Sequence, residues 1–429
     1  MNFLVRIPYA VAAAAVRAAA ALAPPGDGKI LASLRARRAI RARFSAWGAR
    51  GRDMTRPLVW LHAPSVGEGL QARPVVARLR ERRPDAQIAY TFFSPSAEKF
   101  ARGIGADFCD YLPFDSGADA DAALDALRPA ALVFSKLDVW PVLTERAAAR
   151  GVSLGLISAT LAAESRRRSA FGAMLLGDAY RALDAVGAIS EEDSARLRQL
   201  GVRGDHITVI GDARYDEAWA RAQTARAARA LIAPLESARP TLVAGSTWPA
   251  DERALLDAWR IVRAKFADAR LVIAPHEPVP SHTEPIARWA AESGFSCAAL
   301  SDAAAQSADV VIVDRVGVLG DLYALGDVAY VGGGFHSAGL HSVIEPAAFG
   351  APVIFGPRHT ASRDAELLIT CGGGFRAHSA REIADRVQLF LTDSSARAAA
   401  GNQARALVEH GLGAADRSAA LVEKLLRTS

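Results

Sequence analysis

The sequence predicts an α/β protein of two doubly wound, parallel-sheet domains, and three observations carry that expectation. Short apolar runs alternate with helix-like stretches along most of the chain. The runs show little polar alternation, as parallel strands covered on both faces require. The alternation pauses at a charged, Ala-rich stretch, 217–239, and then begins again. With 429 residues, 51% of them hydrophobic, the chain is long enough for two ordinary cores. The expected division is 1–45, a membrane-associated segment and basic stretch; 46–236, a first domain; and 237–429, a second.

The first element is "MNFLVRIPYAVAAAAVRAAAALAPP". It is apolar but Ala-rich, and Arg6 and Arg17 interrupt it, so it falls short of the roughly 20 apolar residues of a confident span. It reads as an interfacial helix or a marginal anchor, peripheral to the membrane or anchored in it at the N-terminus. Arg35, Arg37, Arg38, Arg41, Arg43, Arg50, Arg52 and Arg56 follow with almost no acids between them. Such a run suits an anionic membrane surface. Nucleic acid is not expected as a partner: the net charge is only +5, few aromatics surround the cluster, and no RNA-binding motif is visible. Cys109, Cys297 and Cys371 are far apart and lack metal or redox spacing, which suits a reducing compartment.

"LVWLHA", "IAYTFF", "ALVFSK", "VSLGLIS" and "AVGAIS" are the strand candidates of the first array. "HAPSVGEG", 62–69, follows the first of them and sets Glu68 between two glycines, with Ser65 just before, at a strand-to-helix junction. A carboxylate there does not bind an anion, but it can accept a proton beside one. After the third run, "SKLDVWP", 135–141, carries Lys136 and Asp138. Lys136 can hold a substrate anion as a point charge, or pair with Asp138 as structure.

"TLVAGST", "RLVIAPH", "VVIVD", "VAYVGGG" and "PVIFGP" form the second array. The string 331–357, "VGGGFHSAGLHSVIEPAAFGAPVIFGP", runs from a strand into Gly332, Gly333 and Gly334 and then into a helix. Backbone N–H groups of such a turn can hold a phosphate. Glu345, on the helix, can accept hydrogen bonds from vicinal sugar hydroxyls. "AGSTWPADE", 244–252, offers Ser246 and Thr247 at a helix start, with Asp251 and Glu252 in its first turn. In "IAPHEP", 273–278, His276 ends a strand. Ligands of open α/β sheets bind beyond the carboxyl ends of the strands, so these motifs are expected to converge on a cleft between the domains.

Together these motifs resemble those of the Kdo (3-deoxy-D-manno-oct-2-ulosonic acid) transferases of lipopolysaccharide assembly. "YLPFDS", 111–116, and "VIGDARYD", 209–216, extend the resemblance, which runs from the N-terminus to about residue 410. It implies the GT-B arrangement, two Rossmann-like domains facing across a cleft. It implies inverting transfer of Kdo from CMP-Kdo to a lipid A precursor at the cytoplasmic side of the inner membrane, with no metal and no cofactor. Glu68 stands at the family's proposed catalytic base, with Ser65 in the same motif. The resemblance assigns Ser246, Thr247, His276, Gly332, Gly333, Gly334, His341, Ser342 and Glu345 to the donor. Lys136 and Asp138 stand where the family has two glutamates, an arginine is missing beside His276, and Ser342 replaces an asparagine. Two alternatives differ in kind: another GT-B sugar-nucleotide transferase or epimerase, and a membrane-docked, non-enzymatic protein that binds nucleic acid or lipid.

Overall fold

The computed structural model describes residues 3–24, 28–225 and 232–427. Part of the Ala-rich stretch 217–239, expected as helix and linker, therefore lies outside the described residues. The strands are β1 Leu58–His62, β2 Gln87–Phe92, β3 Phe108–Tyr111, β4 Ala131–Ser135, β5 Ser153–Ala159, β6 Ala185–Ala188 and β7 Ile207–Val209, then β8 Thr241–Thr247, β9 Arg270–Pro275, β10 Cys297–Ala299, β11 Val310–Ile312, β12 Val328–Val331, β13 Val353–Phe355 and β14 Gly374–Arg376. They form two seven-stranded sheets, ordered β3-β2-β1-β4-β5-β6-β7 and β10-β11-β9-β8-β12-β13-β14. All of their pairings are parallel; β1, for example, pairs Trp60 with Ala89 on one side and with Leu132 on the other. Chain order reverses between β1 and β4 in the first sheet and between β8 and β12 in the second. These are the topological switch points, where an open sheet leaves a crevice for a ligand.

The central strands are buried along their length because both faces are covered. In β1, Leu58, Val59, Trp60 and Leu61 are fully buried, as are Leu242, Val243 and Ala244 of β8. Each large apolar side chain enclosed in this way contributes about 1.5–3 kcal/mol. Separate cores result, one around Trp60, Tyr90 and Phe134 in the first unit and others around Trp259, Tyr330 and Val272 in the second.

The division of the chain differs from the expected boundary at 236/237. One unit comprises residues 1–217 and 412–429, and the other residues 218–411. The last helix, Ala414–Arg427, belongs to the first unit, where Ala419 and Val422 are fully buried and Leu425 lies against Gly155 of β5. Asp216 fixes its start by accepting from Gly413 N at 2.8 Å and Ala415 N at 3.0 Å. The final aspartate of "VIGDARYD" is thus a helix cap, satisfying N–H groups that have no partner within the helix.

The N-terminal segment is a helix, Phe3–Leu22, and it packs within the first unit rather than standing apart as its own segment. Tyr9 donates to Asp115 at 2.6 Å, and Arg6 pairs with Glu145 at 2.6 Å. Arg17 lies 3.6 Å from Asp119. Val5 and Ala20 are buried on the packed side, whereas Ile7, Val11, Val16 and Leu22 are exposed.

Several arginines of the run expected to face lipid headgroups have partners within the protein. Arg37 is buried, donates to the carbonyls of Leu112 and Phe93 and to Ser33, and lies 3.9 Å from the centre of the Phe93 ring. Burial pushes its guanidinium down to about 10, so it stays charged at neutral pH. Arg43 forms a two-pronged pair with Asp110, at 2.6 and 2.7 Å, and Arg41 pairs with Asp119. Arg38, Arg52 and Arg56 donate to backbone carbonyls. The guanidinium fork suits this work, since five N–H groups can satisfy several chain ends at once.

Candidate functional site

In the first unit, Glu68 lies in the first turn of the helix Val66–Arg82, beyond the carboxyl end of β1 and beside the switch point. Ser65 is the N-cap: its Oγ accepts from Gly67 N at 3.2 Å and donates to Glu68 Oε2. Lys136 follows β4 with a positive φ of 64°, and its Nζ reaches Glu68 Oε1 at 3.1 Å. Burial pushes the Glu68 carboxyl up, but the Ser65 hydroxyl and the Lys136 ammonium outweigh it and hold the group below its ordinary range. The carboxylate is therefore ionised at neutral pH and only partly exposed, at 17%, while Lys136 is 46% exposed. Gly69 is required by packing, because a Cβ there would meet the Phe100 ring and the Tyr90 hydroxyl.

Asp138 turns the other way. Its Oδ2 lies 3.0 Å from Nε2 of the fully buried His62 and accepts from the Trp140 indole at 3.0 Å. Burial raises the carboxyl of Asp138, and the His62 contact more than reverses this. The Lys136–Asp138 pair is not formed: the partner of Lys136 in the structure is Glu68.

In the second unit, the motif residues gather beyond the carboxyl ends of β8, β9 and β12. Ser246 ends β8 with a positive φ of 53°, a conformation that non-glycine residues adopt at a cost and that recurs at functional sites. Gly332 and Gly333 are required by crowding: a Cβ on the first would overlap the Ser246 carbonyl, and on the second the Gly339 carbonyl. Gly334 passes equally close to the backbone of Gly356.

Two of the three glycine N–H groups of this turn, those of Gly332 and Gly333, are taken within the protein. Asp251, fully buried, accepts from Gly333 N at 2.8 Å, Phe335 N at 2.9 Å and Trp248 N at 3.0 Å. Gly332 N is bonded to the Gly245 carbonyl at 2.9 Å. The carboxylate clamps the turns after β8 and β12 together. Thr247 is also turned inward, donating to Glu252 at 2.9 Å. Burial raises the Glu252 carboxyl, and the Thr247 bond offsets only part of that. Imidazoles, Ser246 and the residues that begin the helix Ile344–Ala348 lie at the same end of the sheet, and Ser342 and Glu345 are half-buried there.

The imidazoles organise around Trp248, a residue the sequence reading passed over. His336 stacks on its indole at 4.4 Å and 7°, and His276 at 4.6 Å and 25°. His276 also stacks on His341 at 4.5 Å. The indole Nε1–H donates to His341 Nε2 at 3.0 Å. Asp251, three residues after the helix-capping Trp248, was legible as a capping-box acid; its grip on the glycine turn was not.

Known proteins resemble the chain in sequence and in fold. The model of the family described as 3-deoxy-D-manno-octulosonic-acid transferase (kdotransferase) matches residues 38–217. The 3-deoxy-D-manno-octulosonic acid transferase of Bordetella pertussis is 32% identical over 399 residues, covering 90% of this chain and 91% of the relative. That of Haemophilus influenzae is 24% identical, covering 86% and 87%. Among solved structures, the UDP-GlcNAc 2-epimerase from Neisseria meningitidis bound to UDP-GlcNAc aligns with a TM-score of 0.63 at 14% identity, over 86% of this chain and all of that one. A glycosyltransferase from Rickettsia africae aligns with a TM-score of 0.58 at 13% identity, over 88% and 100%. These two likenesses speak to the fold alone.

Proposed function

Because the chain belongs to the 3-deoxy-D-manno-octulosonic acid transferase family, and so is a glycosyltransferase of lipopolysaccharide synthesis, we propose that Glu68 is the general base of its Kdo transfer. The donor in this reading is CMP-Kdo and the acceptor a lipid A precursor. The observation that carries it is the ionised, half-buried Glu68 carboxylate, held by Ser65 and Lys136 beside the switch point of the first sheet. Glu68 takes the proton of an acceptor hydroxyl as that oxygen attacks the anomeric carbon of Kdo. The bond from that carbon to the nucleotide phosphate breaks, and CMP departs with the electron pair. A single displacement inverts the anomeric centre.

Lys136 sits where it can exchange Glu68 for an anionic group of the acceptor, and as a compact, flexible cation it suits a phosphate. In the second unit, Ser246, His276, His341, Ser342 and Glu345 are assigned to the donor nucleotide. Thr247, Gly332 and Gly333 shape that site from beneath, since their polar groups are used within the protein, and the N–H of Gly334, a residue packed against Gly356, is assigned to the donor.

The acceptor is a lipid, which supports attachment to the cytoplasmic face of the inner membrane. The exposed Ile7, Val11, Val16 and Leu22 of the first helix are the docking residues in this reading, rather than the arginine run.

Two measurements test the proposal. Glu68→Gln is expected to lose about 10²–10⁴-fold in turnover with CMP binding retained; turnover close to wild type would remove Glu68 from the role. Replacing Ile7, Val11 and Val16 with Ser is expected to reduce sedimentation with phospholipid vesicles while transfer to a detergent-dispersed acceptor persists. Undiminished sedimentation would move the docking surface elsewhere.

A further inference from the structure

We infer that Trp248 is a positioning residue that locks His341 as a neutral imidazole carrying its proton on Nδ1, so that His341 meets the donor phosphate as a hydrogen-bond donor and not as a cation. The inference rests on the donor-site reading above and deepens it. An indole N–H can only donate. With Trp248 Nε1 at 3.0 Å from His341 Nε2, that nitrogen must present its lone pair. A neutral imidazole that accepts at Nε2 carries its hydrogen on Nδ1. Among the described residues, Nδ1 of His341 has no hydrogen-bond partner. The donor is therefore available to a ligand.

The surroundings reinforce the neutral state. His276 covers the His341 ring at 4.5 Å, and the Trp248 ring lies nearly coplanar beside it, at 12°. Protonating His341 would place a second hydrogen against the indole N–H and a cation beside two further imidazoles. The groups that act on it are His276, from the end of β9, His336, from the turn after β12, and Asp251, from the helix after β8. Burial first, and then His276 and His336, push His341 down to about 4, against the opposing pull of Asp251.

A neutral donor has a chemical advantage at a leaving phosphate. It strengthens its bond as negative charge builds, and it does not titrate in the pH range where a free histidine would. The hydrogen bond is geometric rather than ionic, so it is retained across neutral pH.

The test uses the full chain labelled with ¹⁵N-histidine, with His341 assigned among the nine histidines by comparison with a His341→Asn variant. Two-bond ¹H–¹⁵N spectra are expected to show His341 as the Nδ1–H tautomer, without titration above about pH 5.5. In Trp248→Phe, which keeps a stacking ring and removes the indole N–H, His341 is expected to lose the fixed Nδ1–H tautomer and show the nitrogen shifts of a mixture of both tautomers. An Nε2–H tautomer in the wild type, or titration of its His341 near the ordinary value of about 6.5, would overturn the proposal. Calorimetry with CMP supplies a readout that does not depend on how Trp248→Phe folds. Asn places its amide nitrogen close to the position of Nδ1, and Gln close to that of Nε2. His341→Gln is expected to weaken CMP binding about tenfold more than His341→Asn does, the value of one hydrogen bond to a charged group. The reverse order would count against the assignment. An intact tautomer with unchanged CMP affinity in both variants would instead move the donor site away from His341.

Discussion

Glu68 is set by opposing influences, and the balance is open to measurement. Burial alone would raise its carboxyl, while Ser65 and Lys136 lower it. A base works only when ionised, so activity falls as pH drops through the Glu68 pKa. With Glu68 as the proposed base, the wild-type acid limb is expected below the ordinary glutamate range of about 4.3, and no change in turnover from Glu68 titration is expected across neutral pH. Lys136→Met removes the cation and leaves burial less opposed. The limb of kcat is expected to move to higher pH, and an unshifted limb would separate Lys136 from the base. The sign for stability follows the same logic. The depressed carboxyl contributes stability above its unfolded value, and this is lost as pH falls through the folded value. The arginines teach a related lesson at this scale. A run of them reads in sequence as a charged surface, yet Arg37 is buried on Phe93 and Arg43 is paired with Asp110. Arg37→Gln is therefore expected to lower the thermal midpoint more than it lowers vesicle binding, because it leaves the Leu112 and Phe93 carbonyls short of a donor.

The clamp between the turns after β8 and β12 determines how those elements respond to change. Asp251 holds three backbone N–H groups in a site closed to water. Charge-assisted bonds of this kind contribute about 1.5–3 kcal/mol each. Asp251→Ala is expected to destabilise the second unit by about 3 kcal/mol or more and to abolish CMP binding through loss of the turn, as calorimetry and thermal melts would report. Gly333→Val belongs with it, since its Cβ would strike the Gly339 carbonyl before any ligand arrived. The sequence reading recovers all ten central strands because both of their faces are buried, which leaves an unbroken apolar run. It misses β3, β7, β10 and β14, and these four are the outermost strands of the two sheets. β7 shows why: Thr208 and Val209 are exposed, so no continuous apolar signal survives there. The candidate site was legible to the same degree. Motif positions at strand ends were visible, whereas the partners of Lys136 and Asp251 depend on side-chain directions that spacing does not encode.

At the scale of the whole molecule, the chain leaves its first unit after Glu217 and returns to it at Leu412. The returning helix supplies Ala419, Val422 and Leu425 to the first unit's core, against β5 and its neighbours. Deleting residues 412–429 is expected to uncover that face of the sheet and make the first unit sensitive to protease. Unaltered digestion of its fragments would show the helix to be dispensable. This connectivity also fixes an order of events during synthesis. Residues 218–411 have all left the ribosome before the last helix emerges, so the second unit can fold while translation continues. The first unit cannot close its core until the helix Ala414–Arg427 has emerged, although its strands are made first. The unit that carries Glu68 is thus completed after the second unit, although its synthesis begins first.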